Sequence, residues 1–411
     1  MDFSDTPQEA EFRKAARAFL QANATPKSEA QGVAKLRKDE SEAELIKRAK
    51  AWQKLKADNG WACLHWPKEY GGQGAAPMEL IIWGQEEANY DVPTGPFAIG
   101  LGMCGPTVIG FAGEEQKQRY LPKMVSGEEI WCQLFSEPAG GSDVANLRTR
   151  AVKNGDEWVI NGQKVWTSGA QYCDYGILLT RTDPSVPKHK GLTMFIVDMK
   201  APGVEVKPIK QASGHSGFNE VYFTDVRIAD DHRLGGVGDG WKVSIVTLMN
   251  ERLAVGSAGG PDAGELLALA QNIEVDDGPA IQNQAVRDRI ATWYCEQAGL
   301  KFTKLRVQSA LSKGGTPGPE NSITKIVSAN KLQGIGSFGM DLMDTGGILV
   351  DEQPMDGQFQ AAWMSAPGYR IAGGTDEILR NIIAERVLQM PGDIRVDKSV
   401  PFSEVPQGGK S

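Results

Sequence analysis

The chain has 411 residues, enough for two or three domains with substantial cores. A formal net charge of −8 and a pI near 5.3 argue against a nucleic-acid surface, which needs a basic face. The five cysteines are scattered, with no CxxC pair, and the four histidines show no ligand spacing. Reduced thiols are therefore expected, with neither a disulfide framework nor a metal site.

The opening MDFSDTPQEAEF is acidic and lacks the basic and apolar regions of a signal peptide, so a cytoplasmic protein is expected. Residues 1–126 read as mostly helical. Phe12, Ala15, Ala16, Phe19 and Leu20 fall on one stripe of a helix starting after Pro7, and Leu45, Ala49, Trp52 and Leu55 repeat the pattern. Trp61–Gly74 reads as loop, with helices again over Pro77–Asn89 and Glu114–Met124. Val92–Gly113 is 22 residues without a charge, but it holds three prolines and six glycines. Lipid offers broken backbone no water to bond, so no membrane span is expected.

Residues 127–230 change period. Asn154-Gly155 and Asn161-Gly162 are hairpin signals on either side of a Glu157–Ile160 strand. Strands follow at Tyr175–Thr182, Gly191–Asp198, Val204–Ile209 and Phe218–Ile228, which predicts an antiparallel barrel or sandwich. Lys188-His189-Lys190 reads as a solvated connection. Residues 231–411 are helical again, over Trp241–Ala258, Gly264–Gln271, Asn283–Ser312, Pro319–Gly334 and Thr375–Met390, with loop at Gly339–Gln360 and a flexible tail from Val396. The expected class is α+β multidomain: an N-terminal helical domain (1–126), a middle β domain (127–230) and a C-terminal four-helix-bundle domain (231–411).

Two stretches carry the chemistry: IWCQLFSEPAGGSDVA over Ile130–Ala145 and NGQKVWTSGA over Asn161–Ala170. Two glycines followed by a hydroxyl and an acid let backbone N–H groups converge on an anionic ligand. Trp166 beside Thr167 and Ser168 sets a flat apolar plate next to hydroxyl donors. A planar heterocycle with a phosphate tail fits such surfaces; taken singly, the first is also an ordinary turn and the second an ordinary core tryptophan.

FSEPAGGSDVA and KVWTSGA resemble the flavin-binding segments of the acyl-CoA dehydrogenase family, and the helix–strand–helix order extends the resemblance over nearly the whole chain. It implies FAD, an acyl-CoA substrate oxidised to a trans-2-enoyl-CoA, electron-transfer flavoprotein as acceptor, and a homotetramer built from dimers. By the same resemblance Phe135, Ser136, Trp166 and Ser168 contact the flavin ring. Gly141 and Ser142 lie at the pyrophosphate and substrate mouth, Thr375 and Glu377 touch the cofactor, and Ser142 and Arg252 touch substrate. A CoA phosphate contact is then the alternative for Lys188-His189-Lys190.

Such a reaction needs a carboxylate base near the α-carbon and donors on the thioester oxygen. Glu251 has Thr247, Leu248, Ala254 and Val255 as same-face helical neighbours, an apolar surround, while Arg252 points about 100° away. Residue spacing leaves it between base and solvated side chain. MNERLAVG is similar to the base-bearing segment of isovaleryl-CoA and long-chain acyl-CoA dehydrogenases, which implies that Glu251 is the base. Most members place the base in a later E-G-T motif, and here Ile371-Ala372-Gly373-Gly374-Thr375 has Gly373 in that place. The glycines supply positive φ for a turn, and the resemblance makes the Gly373 N–H a donor to the thioester oxygen. Thr375 is also a natural helix N-cap.

The family's R-x-x-F-G clamp on the FAD adenine half is missing from Leu267–Tyr294. That departure implies weaker FAD binding or a heterotetramer in which a related chain completes the site, and it favours a second reading as a cofactor-poor partner subunit. Independently of it, the same fold also suits an acyl-CoA oxidase or related flavin monooxygenase whose reduced flavin reacts with oxygen. CQLFSEP, MNER and FNEVYF resemble bacterial members that handle bulky or steroid-derived acyl-CoAs.

Overall fold

In a computed structural model the described residues are 5–27, 40–255, 259–275, 278–312, 318, 321–349, 357–392 and 394–405. The chain forms two compact units: Met1–Lys210 with Ser216–Asn250 and Arg395–Ser411, and Gln211–His215 with Glu251–Ile394.

The first unit opens with helices α1 (Pro7–Asn23), α2 (Glu42–Asp58), α3 (Pro77–Glu87), α4 (Gly105–Phe111) and α5 (Glu114–Ser126). Capping boxes start α1 and α2, where Thr6 pairs with Glu9 and Ser41 with Glu44. Leu20, Trp52, Leu64 and Trp83 share one buried cluster, beside a Trp61–Trp83 stack at 4.9 Å. Of the expected α1 stripe, Ala16 and Leu20 are buried while Ala15 is exposed. The uncharged run breaks into a 3-10 turn, a π turn at Gly100–Cys104 and α4. Among the described residues no helix is long and apolar enough to cross a membrane.

Besides two short two-stranded pairings, Thr25–Pro26 with Tyr90–Asp91 and Glu274–Val275 with Gly278–Pro279, the strands are β1 (Trp131–Leu134), β2 (Arg150–Asn154), β3 (Glu157–Ser168), β4 (Tyr175–Arg181), β5 (Leu192–Asp198), β6 (Val204–Ile209), β7 (Phe218–Ala229) and β8 (Arg233–Leu234). They form one sheet in the order β8-β5-β4-β2-β3-β7-β6, with β1 added to β4. The pairing is antiparallel except at β1–β4 and a single β2–β4 bridge. Strands β4 and β5 are buried on both faces, which explains their unbroken apolar runs. Asn154-Gly155 makes the expected hairpin, with Gly155 at φ +63. Asn161-Gly162 does not. It lies inside β3 at a register shift, where a Cβ on Gly162 would come within 2.6 Å of Thr149 Cα; the glycine serves close approach, not a turn.

The tail also departs from expectation. Phe402 N–H donates to Val186 O and Ser403 N–H to Pro184 O, each at 2.9 Å, and the Arg181 guanidinium lies 3.5 Å from the centre of the Phe402 ring. Residues 395–405 therefore fold onto the strand-rich unit, because an aromatic ring covers a buried cation there.

The second unit takes the end of α6 (Gly240–Val255), then α7 (Ala263–Asn272), α8 (Gln284–Ser312), α9 (Asn321–Leu342), α10 (Gln358–Ile371) and α11 (Asp376–Ile382). Leu266 and Leu269 of α7, Ile290 and Trp293 of α8, Ile335 of α9 and Phe359 of α10 form one buried cluster, so four helices share a core. A Cβ on Gly339 would sit 2.4 Å from Phe359 Cδ1, which is why a glycine stands where α9 meets α10. Helix α10 runs into the expected Gly339–Gln360 loop and beyond it; Pro367 and Gly368 in its interior hide the helical period.

Candidate active site

Six of the expected residues belong to the first unit and five to the second. In the first, β1 delivers Phe135, which is buried, and Ser136, whose carbonyl accepts the Val165 N–H at 2.9 Å. Next to them Lys164 Nζ donates to Glu137 Oε1 at 2.8 Å and to Phe135 O at 3.0 Å. Glu137 also accepts the N–H groups of Thr149 at 2.9 Å and Arg148 at 2.6 Å. Both charged side chains are almost wholly buried. Burial pushes the Glu137 carboxyl up, but the Lys164 charge and these hydrogen bonds outweigh it and hold it below the usual carboxylate range. One buried ion pair thus staples the FSEP segment to the KVWT segment.

Trp166 sits at φ +61 in a register shift between Lys164 and Thr167, and the residue is 58% exposed. A bulky residue in left-handed backbone is strained and persists only where the surroundings over-determine it. The bulge turns the indole out of the core, edge-on to Phe218 with ring centres 6.1 Å apart. Beside it Thr167 Oγ1 is buried with no hydrogen-bond partner, and Ser168 is half-buried. Gly141 and Ser142 are exposed, and a Cβ on Gly141 would meet nothing within 4 Å.

Lys188 corrects an expectation. It is buried, not solvated, and its ammonium donates to Asp143 Oδ2 at 2.7 Å and to Asp397. Burial pushes the Arg181 guanidinium down to about 10; its N–H groups donate to Leu147, Lys188 and Ala145 carbonyls.

In the second unit the Gly373 N–H donates to Glu251 Oε1 at 3.1 Å. Gly373 and Gly374 have φ of +66 and +92, values that suit glycine. Thr375 caps α11, its hydroxyl accepting the Ile378 N–H at 3.2 Å. Glu377 is exposed in the first turn. The side chains of Arg252, Ala254 and Val255 lie outside the described residues. Glu137 and Lys164 are absent from the sequence-derived site; a lysine in register with buried strand positions was the signal for them.

Three family models cover most of the chain: the acyl-CoA dehydrogenase N-terminal domain over residues 6–128, the middle domain over 132–226 and the C-terminal domain over 238–388. The acyl-CoA dehydrogenase IpdE1 of Mycobacterium tuberculosis is 34% identical over 365 residues, 86% of this chain and 91% of that one. The chain belongs to the acyl-CoA dehydrogenase family. Acyl-CoA dehydrogenases are flavoprotein oxidoreductases, and this chain is an enzyme of that kind. FadE34 of M. tuberculosis, also named an acyl-CoA dehydrogenase, is 38% identical over 338 residues; the match spans 82% of this chain but only 45% of FadE34. A solved structure described as the Tcur3481–Tcur3483 steroid ACAD superposes with a TM-score of 0.77 at 28% identity, covering 96% of this chain and all of that one.

Proposed function

We propose that the chain oxidises an acyl-CoA thioester to the trans-2-enoyl-CoA, with Glu251 as the base at the α-carbon and the Gly373 N–H as donor to the thioester oxygen. The observation that carries this is the 3.1 Å bond between those two groups. An amide that reaches the carboxylate also holds a carbonyl oxygen where the neighbouring α-carbon lies beside that carboxylate. Substrate and carboxylate then compete for one N–H. A hydrogen bond to the charged form of an acid favours that form, so transfer of the N–H to the thioester leaves the Glu251 carboxylate a readier proton acceptor. The same N–H stabilises the negative charge that grows on the thioester oxygen as the α-proton leaves.

The first unit's residues fit FAD. An outward-facing strained tryptophan, an orphaned buried hydroxyl on Thr167 and an open Gly141-Ser142 turn suit a ring and a phosphate. When bound, FAD supplies the acceptor for the hydride equivalent from the β-carbon. Phe135, Ser136, Trp166 and Ser168 would hold the ring, Gly141 and Ser142 the pyrophosphate, and Thr375 and Glu377 further cofactor contacts. Ser142 and Arg252 would meet substrate. Electrons leave to an electron-transfer flavoprotein, in the cytoplasm, where the free cysteines stay reduced. The likeness to a steroid ACAD favours a bulky acyl group, and a tetramer of this chain, alone or with a related one, completes the assembly.

The test is the anaerobic visible spectrum of the purified chain during addition of short, branched, long and steroid-side-chain CoA esters. Bleaching of bound flavin by one class supports the reading and names the substrate. A colourless protein that stays colourless with added FAD overturns it in favour of a partner subunit, and peroxide formed without an added acceptor points to an oxidase.

A further inference from the structure

The Gly373 amide can serve as a donor only if its peptide plane is fixed, and two consecutive glycines are the least constrained backbone a chain offers. On the N-terminal side the Ala372 N–H is tied to Gly368 O at 2.9 Å, the last bond of α10. On the C-terminal side Gly374 O accepts from Lys325 Nζ at 2.7 Å. Lys325 stands in the first turns of α9 with its side chain 8% exposed. Its ammonium is 3.8 Å from Asp376 Oδ1, and Asp376 is itself buried, bound by Arg370 Nε at 2.8 Å and Asn330 Nδ2 at 3.1 Å. Arg370 is anchored in turn on Gln333 at 2.9 Å.

A buried ammonium is costly to desolvate. Ending a helix does not require one, since left-handed glycines do that alone. Besides facing Asp376, the cation makes its shortest bond to the turn's carbonyl, and that turn carries the Gly373 N–H.

We propose that Lys325 is a positioning residue: by holding the Gly374 carbonyl it aims the Gly373 N–H at the thioester oxygen. The role rests on the reading of Gly373 given above. Lys325 touches neither substrate nor base; it acts through the backbone.

The experiment compares FAD-loaded wild type with K325M, K325R and K325Q. One probe is a conjugated aryl-acryloyl-CoA, whose absorption moves to the red when its carbonyl is polarised. The other is an S-alkyl-CoA thioether, which has no carbonyl. K325M should bind the thioether with unchanged Kd, lose most of the red shift, and lose kcat by roughly tenfold to a hundredfold, as for a donor displaced by about an ångström. K325R should regain part of both. Where K325M does not fold, K325Q, one bond too short to reach Gly374 O, is read in its place. A wild-type red shift and kcat in K325M or K325Q would overturn the role of Lys325 alone. A wild type with neither shift nor turnover would overturn the Gly373 reading and this role with it. Failure of all three variants to fold assigns Lys325 to stability and also overturns the positioning role.

Discussion

The Gly373 N–H donates to the carboxylate of Glu251 at 3.1 Å, across 122 residues of sequence. Neither group is informative alone: one is a glutamate on a helix, the other a glycine in a turn. Their contact is what supports the role proposed for each.

Replacement of Glu251 by Gln keeps an oxygen for the Gly373 N–H and so should leave fold and flavin content intact. It removes the proposed base, and kcat should fall by roughly 10²–10⁴. Single-turnover bleaching of the flavin by substrate measures it; near-normal bleaching in E251Q would remove the assignment.

The Lys164–Glu137 pair should behave as a staple. K164M leaves a buried carboxylate uncompensated and should destabilise the protein by about 3–5 kcal/mol. The double variant K164M/E137Q should cost less than the sum of the two single changes, because neither charge is then left alone. Denaturant midpoints of the four proteins close the cycle, and strict additivity would show that the pair is not coupled.

Trp166 is held in backbone that a glycine would enter without strain. W166G should therefore lose little stability, or gain up to about 1 kcal/mol, while its FAD affinity falls. Thermal unfolding of the FAD-free protein and FAD titration separate the two effects. A large loss of stability without loss of FAD affinity would mark Trp166 as a packing residue.

The docking of residues 395–405 should depend on pH. The hydrogen bond from Lys188 holds the Asp397 carboxyl below the usual range. Burial opposes the Lys188 charge, but Asp143 and Asp397 outweigh it and raise that ammonium. For Asp397 the stabilisation is complete above the unfolded value of about 4 and is lost as pH falls through the depressed folded value. For Lys188 it is complete below the unfolded value of about 10.4 and is lost as pH rises past the raised one. The tail should thus resist proteolysis across the neutral range and open in acid. At pH 7, D397N should be cut roughly fivefold faster, the effect of about 1 kcal/mol. Equal rates would show that Asp397 does not hold the tail.

The three-part order of helix, strand and helix was legible because the hydrophobic period switches near residues 127 and 231. The two segments proposed to meet flavin stood out because Gly-Gly-Ser-Asp and Trp-Thr-Ser are unusual so near one another. What escaped was long-range. Asn161-Gly162 reads as a turn until Thr149 is seen pressing on it. Lys188 reads as solvated until Asp143 and Asp397 arrive from either side in sequence. Lys325 carries no motif at all, and its meaning depends on a carbonyl 49 residues away. Lys164 left a trace because strand alternation marks it as buried, whereas the carbonyl that Lys325 holds lies in another element that its own helix does not reveal.

The tail has a further consequence for how the protein is made. Asp397 follows Lys188 by 209 residues, and the whole helical unit is synthesised between them. From the end of β8 at Leu234 to Asp397, synthesis at about 5–20 residues per second takes on the order of 10–30 s. During that interval Phe402 does not yet cover Arg181, and Asp143 is the one acid of the final pair available to Lys188. The nascent protein therefore passes through a stage in which its strands are complete in sequence but a buried cation is only half neutralised.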